Sequence, residues 1–137
     1  MRVRGSLAPL LALLLVSAVG CSSNGGDVTA TLDDYTISLS ETELSAGEHT
    51  FDVQNDAGQT HEFVIVSTDL AEDQLPTDEA GDVDEEGEGI EPVDEVEDVE
   101  AGSSQSLTVT LESGNYVVLC NLPGHYRQGM HGTLTVS

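Results

Sequence analysis

The chain of 137 residues has no lysine and no tryptophan. It has two cysteines, two methionines and four histidines. Its three basic residues are Arg2, Arg4 and Arg127, set against 26 acidic ones, for a formal net charge of −23. This deficit excludes nucleic-acid binding, because phosphate contacts need clustered Lys and Arg. Acidity of this degree keeps a chain soluble in strong salt. At ~1 M salt the Debye length is about 3 Å, so long-range steering of partners fades there. No stretch of the chain shows helical periodicity.

The N-terminus is of a different kind. Arg2 and Arg4 precede an apolar run from Leu7 to Val19, and Ala18-Val19-Gly20 leads into Cys21. Residues 1–20 therefore read as a secretory signal. The run is too short for a membrane span, which needs ~20 apolar residues. A cysteine directly after small residues resembles the bacterial lipobox. That resemblance implies a lipidated Cys21, a tether over residues 21–27, and a location on the outer face of the cytoplasmic membrane. With Cys21 carrying lipid, Cys120 has no disulfide partner. A lone thiol in an exported, oxidising setting needs protection or a task, and metal ligation supplies both.

Residues 28–137 suit one domain. Val28 to Ser40 contains period-two alternation, with Ile37 and Leu39 on one face. His49 to Gln54 repeats it with Phe51 and Val53 inward, and Asn55-Asp56-Ala57-Gly58 is a turn. His61 to Val66 places His61, Phe63 and Ile65 on one face, and Ser106 to Leu111 does the same for Leu107, Val109 and Leu111. Tyr116 to Cys120 and Thr133 to Val136 complete the set. Short strands separated by turns predict an all-β sandwich or barrel. Residues 68–101 stand apart, holding 16 of the 26 acidic residues, punctuated by Leu75, Val83, Ile90, Val93, Val96 and Val99. They read as an acidic surface loop insertion whose second half, Ile90 to Val99, pairs as an edge strand or lies on the sandwich. Asp82-Val83-Asp84-Glu85-Glu86-Gly87 begins like an EF-hand loop. The bidentate carboxylate needed at its twelfth position is Val93, so a solvated acidic face is the better reading.

The most specific chemistry lies in Cys120-Asn121-Leu122-Pro123-Gly124-His125-Tyr126-Arg127-Gln128-Gly129-Met130. Cys120 ends a strand, a tight loop with Pro123 and Gly124 returns His125, and four residues later comes Met130. His61 opens a strand whose register points it inward. One thiolate, two imidazoles and one thioether form the ligand set of a mononuclear copper electron-transfer site. His49 and His131 are excluded, the first as a solvated residue near a strand start, the second because alternation points it away from Met130.

These segments, with Val53 to Phe63 and Met130-His131-Gly132, resemble the cupredoxins, the type 1 blue copper proteins. The Cys-x4-His-x4-Met loop resembles the plastocyanin-like group with sulfocyanin- and rusticyanin-like carriers. Anchoring and acidity are similar to halocyanins. The resemblance implies a Greek-key β-sandwich holding one copper ion with His61, Cys120, His125 and the weak axial Met130. It implies a surrounding shell of Asn55, Glu62, Asn121 and Leu122. In it, backbone N–H groups of Glu62 and Leu122 donate to the Cys120 sulfur, and Asn121 supplies an amide that Glu62 accepts. Relatives often carry asparagine where Glu62 stands. The resemblance further implies a docking rim of Leu122, Pro123, Tyr126 and Arg127 around the edge of His125. Partners are then membrane redox complexes or cytochromes met transiently by a monomer.

Two functions share these ligands: a one-electron carrier, and a copper scavenger or chaperone. Only Met1 and Met130 are present, which disfavours the second, since chaperones rely on methionine-rich stretches. Enzymes of the multicopper oxidase or nitrite reductase kind need further histidine-rich centres, which four histidines cannot build.

Overall fold

A computed structural model describes residues 27–137, which form nine strands. These are β1 (Val28–Asp33), β2 (Thr36–Leu39), β3 (Glu43–Leu44), β4 (Gly47–Asn55), β5 (His61–Thr68), β6 (Ile90–Val99), β7 (Ser104–Leu111), β8 (Gly114–Leu119) and β9 (His131–Val136). The expected signal and the Cys21 acceptor lie outside the described residues. One sheet has the order β2-β1-β4-β7 and the other β3-β9-β8-β5-β6. β1 pairs parallel with β4, and β3 with β9; the other pairings are antiparallel.

The alternation read from the sequence becomes the space between the sheets. Val28, Ala30 and Leu32, then Phe51 and Val53, then Leu107, Val109 and Leu111 face Phe63, Ile65, Val118 and Leu134. Burying such side chains at roughly 25 cal/mol per Å2 is the main force holding the sheets together.

β5 and β8 do not alternate. Phe63-Val64-Ile65-Val66 and Tyr116-Val117-Val118-Leu119 are apolar on both faces, the pattern of strands covered on both sides. The cover is the acidic segment. Leu75 and Val83 pack with Val64, Val66, Val117, Leu119 and Tyr126 in a second apolar cluster on the outer face of the five-stranded sheet. Within residues 68–101, the second half pairs as an edge strand as expected, and the surface-loop reading is corrected only for the first half. Residues 90–99 are the edge strand β6, with Val96 and Val99 in the main core. Residues 69–89 are fastened to the sheet by their two buried apolar side chains, Leu75 and Val83, while most of their carboxylates are exposed.

Candidate metal centre

Three elements converge at one end of the sandwich. Asn55 ends β4, buried, and its side-chain amide donates to the carbonyls of Gln59 (2.8 Å) and Val99 (2.7 Å). Its Oδ1 accepts from the Ala57 N–H at 3.0 Å. These bonds shape the turn that delivers His61, fully buried, as the first residue of β5. The β5–β6 register slips between His61 and Phe63, a bulge that turns the strand at Glu62.

Cys120 follows β8, and its N–H donates to the Met130 carbonyl at 3.1 Å. The intervening loop is self-tied: His125 N–H to the Leu122 carbonyl, Gln128 N–H and Met130 N–H to the His125 carbonyl. Gly124 (φ 78°) and Gly129 (φ 97°) occupy left-handed positions, where a Cβ would strain the backbone. These turns explain why glycine brackets His125 on one side and Met130 on the other.

His61 Nδ1 lies 3.1 Å from His125 Nδ1, and Cys120 Sγ lies 3.3 Å from His125 Nδ1 and 3.8 Å from His61 Nδ1. A point equidistant from three atoms so spaced is about 2.0 Å from each, close to ordinary metal–imidazole and metal–thiolate bond lengths. Two imidazole nitrogens and a thiol gathered this closely, all beneath the surface, are a metal cradle. Met130 is fully buried beside Cys120 in the core, its main chain bonded to both Cys120 and His125. The donor set is the one that serves both cupric and cuprous copper.

The comparisons agree. Residues 26–137 match the model of the copper-binding proteins of the plastocyanin/azurin family. The chain belongs to that family. Among solved structures the cupredoxin fold recurs in auracyanin of Roseiflexus castenholzii, 23% identical over 80% of this chain and 94% of that one, TM-score 0.59. Auracyanin A of Chloroflexus aurantiacus is 25% identical over 80% and 98%, TM-score 0.53. Rusticyanin of Thiobacillus ferrooxidans is 19% identical over 80% and 75%, TM-score 0.56. No curated protein matches the chain. The protein is a copper-binding electron carrier of the cupredoxin kind, with His61, Cys120, His125 and Met130 arranged for one copper ion.

The surroundings of this cupredoxin site keep the donors ready. Burial holds both imidazoles below their usual pKa, helped at His61 by the facing His125. Burial pushes the Cys120 thiol up, against the N–H groups of Glu62 and Leu122, which favour the thiolate. The Glu62 N–H donates to Cys120 Sγ at 3.4 Å. Asn121 and Glu62 are joined through the main chain: Asn121 N–H donates to Glu62 Oε1 at 2.8 Å. The Asn121 side chain turns instead to the acidic segment, bonding Val83 and Glu85.

The expected docking rim changes composition. Leu122 is half-buried and Pro123 exposed, beside a half-buried His125. Tyr126 is corrected: it is buried, its hydroxyl accepting from Leu75 N–H and donating to the Glu72 carbonyl, because Leu75 needs a cover. Arg127 is exposed and reaches back to the Ala80 carbonyl, lying against Gly81. In place of Tyr126 stands Tyr35, which sequence reasoning missed. At φ 58° in the β1–β2 turn, its ring meets the His125 ring edge-on at 5.2 Å. Asp82 was missed too; its carboxylate accepts from Gly124 N–H at 2.8 Å, beside His125. His49 is also corrected, since it is tied rather than solvated, bonded to Asp27 (3.0 Å) and the Ser45 carbonyl (2.7 Å). His131 packs against Tyr126 at 5.1 Å between ring centroids, away from the three donors.

Proposed function

We propose that this protein shuttles single electrons at the outer face of the cytoplasmic membrane, held there by a lipid on Cys21. It would exchange electrons with membrane redox complexes or cytochromes. The observation that carries the reading is the triad of buried His61 and Cys120 with half-buried His125, already within metal-sharing distance.

Bound copper supplies a one-electron cupric–cuprous couple. The chain's own residues do the rest. The Cys120–Met130 and Met130–His125 backbone bonds keep the loop in one shape. Phe63, Val118 and Leu134 are buried in the same core as Cys120 and Met130. The N–H of Glu62 holds the sulfur without supplying a proton that must move. Donors that need not rearrange favour fast transfer. A copper scavenger would gain more from a loose, exchangeable site.

The test is the absorption spectrum of the cupric protein. An intense thiolate-to-copper band that vanishes in Cys120→Ser supports the carrier; a colourless protein that gives up copper readily supports the scavenger. Anchoring is read separately, by detergent-phase partitioning that Cys21→Ala should abolish.

A further inference from the structure

Residues 69–89 hold ten carboxylates and no basic residue. Seven of the ten are exposed, and Glu72, Asp82 and Glu85 are half-buried. Each of these three faces the chain between Asn121 and His131. Glu72 Oε2 lies 3.5 Å from His131 Nδ1. Asp82 accepts from the Gly124 N–H at 2.8 Å, and Glu85 Oε1 accepts from Asn121 Nδ2 at 2.9 Å. Gly124 directly precedes His125, and Asn121 directly follows Cys120. Solubility asks for none of these contacts, because a carboxylate is best hydrated when it points outward.

The segment is built to deliver Asp82. Asp78 Oδ1 accepts from the N–H groups of Ala80 (2.8 Å), Gly81 (2.8 Å) and Asp82 (3.1 Å). The Asp78 N–H returns a bond to the Asp82 carbonyl at 2.9 Å. Thr77 and Val83 bridge as an antiparallel pair, and buried Val83 pins the hairpin to the sheet. Asp82 therefore leaves a tied turn at a fixed angle toward the ligand loop. Its charge acts at the His125 ring, opposing there the effect of burial.

Glu72 faces an imidazole that can answer its charge. Asp82 and Glu85 face only neutral amides. The one basic residue among the described residues, Arg127, bonds the Ala80 carbonyl of the same hairpin. It is exposed, so solvent screens it more fully than half-buried Asp82. The ligand loop thus carries two carboxylates without a facing cation. A negative charge beside a metal site favours the more positive metal, and more so where water is partly excluded.

We propose that residues 69–89 set the reduction potential of the site, with Asp82 and Glu85 as positioning residues acting through Gly124 and Asn121. They hold the two loop residues next to His125 and Cys120, and they favour the cupric over the cuprous state, which lowers the potential and makes the reduced protein a readier electron donor. No bond to either carboxylate forms or breaks as one electron enters or leaves, and no proton moves. This rests on the carrier reading above.

The experiment is voltammetry of the full, copper-loaded chain, wild type against Asp82→Asn, Glu85→Gln and the two combined. Both replacements keep an oxygen to accept the loop hydrogen bond and remove only the charge. The combined variant should raise the ratio of cuprous to cupric affinity about tenfold, which is ~59 mV for one electron. Glu86→Gln with Glu88→Gln, both exposed, removes as much charge from the same segment and should change the ratio by less than about twofold. A change below about threefold in the combined variant, or one matched by the exposed pair, overturns the proposal. Hydrogen exchange of the Gly124 amide in the apoprotein reads the contact itself. Asp82→Ala should speed it about tenfold or more, and a rate unmoved by that change overturns the positioning. A wild-type chain with no reversible one-electron wave removes the carrier reading instead, before any variant is compared.

Discussion

Asn121 pairs with Val83 as one strand residue pairs with another: Oδ1 accepts from Val83 N–H at 2.7 Å and Nδ2 donates to the Val83 carbonyl at 3.0 Å. A side chain next to the copper thiolate thus does the work of a backbone. It joins the ligand loop to the acidic segment, and Asp82–Gly124 adds a second tie four residues beyond Cys120.

Asn121→Ala should leave both polar groups of Val83 without partners beneath the surface. A loss of roughly 1–3 kcal/mol in unfolding free energy is expected, since unpaired buried groups carry their full desolvation penalty. Denaturant melts of the apoprotein check the stability. The cupric spectrum should broaden as the loop loosens.

Leu75→Ala attacks the same contact from its apolar side. Leu75 is buried between the outer sheet face and Tyr126. A loss of about 2–4 kcal/mol is expected from the cavity left behind. Limited proteolysis should then cut within residues 69–89 while the nine strands survive; cleavage no faster than in the parent would mean the segment is held by other means.

Glu62 offers a pH signature. Burial, reinforced by Glu95, Glu85 and Glu97, raises its carboxyl from 4.5 to about 7, despite the opposing Asn121 N–H. Between those values the folded chain keeps a proton the unfolded chain has lost, so this group makes the apoprotein less stable as pH rises through that window. Glu62→Gln retains an acceptor for Asn121 and removes the charge. It should stabilise the apoprotein by roughly 1–2 kcal/mol above pH 7, after allowance for solvent screening, and the advantage should close below pH 5. Melting curves at pH 4.5 and 8 decide it.

Copper uptake should depend on pH through Cys120. Its thiol is held above the usual range, so binding expels a proton. Both imidazoles are held low and enter the site neutral. Apparent affinity should therefore rise about tenfold per pH unit across the neutral range, and more steeply in acid where the imidazoles protonate. Competition titrations with a chelator of known affinity measure the slope. A flat profile would point away from the thiol as donor.

His61→Gly should leave a buried vacancy beside the remaining donors that added imidazole refills. Recovery of the charge-transfer band on titrating imidazole checks that His61 is a ligand.

The ligand loop was legible in the sequence because its geometry is local. Eleven residues from Cys120 to Met130, with glycines where the backbone must turn left-handed, leave little freedom in where the donors go. The sandwich was legible for a similar reason, since period-two alternation in β4 and β7 admits one buried face. Other features depend on pairing between distant residues, which no local pattern encodes. His61 meets Cys120 because the β5–β8 register sets Val64 opposite Leu119. Tyr35 reaches His125, Asn121 clasps Val83, and Tyr126 is buried rather than exposed, only once both sheets and the acidic segment are in place. Sequence determined which atoms could hold the metal; long-range packing decided what surrounds them, because each such neighbour lies tens of residues away along the chain and is brought near only by burial.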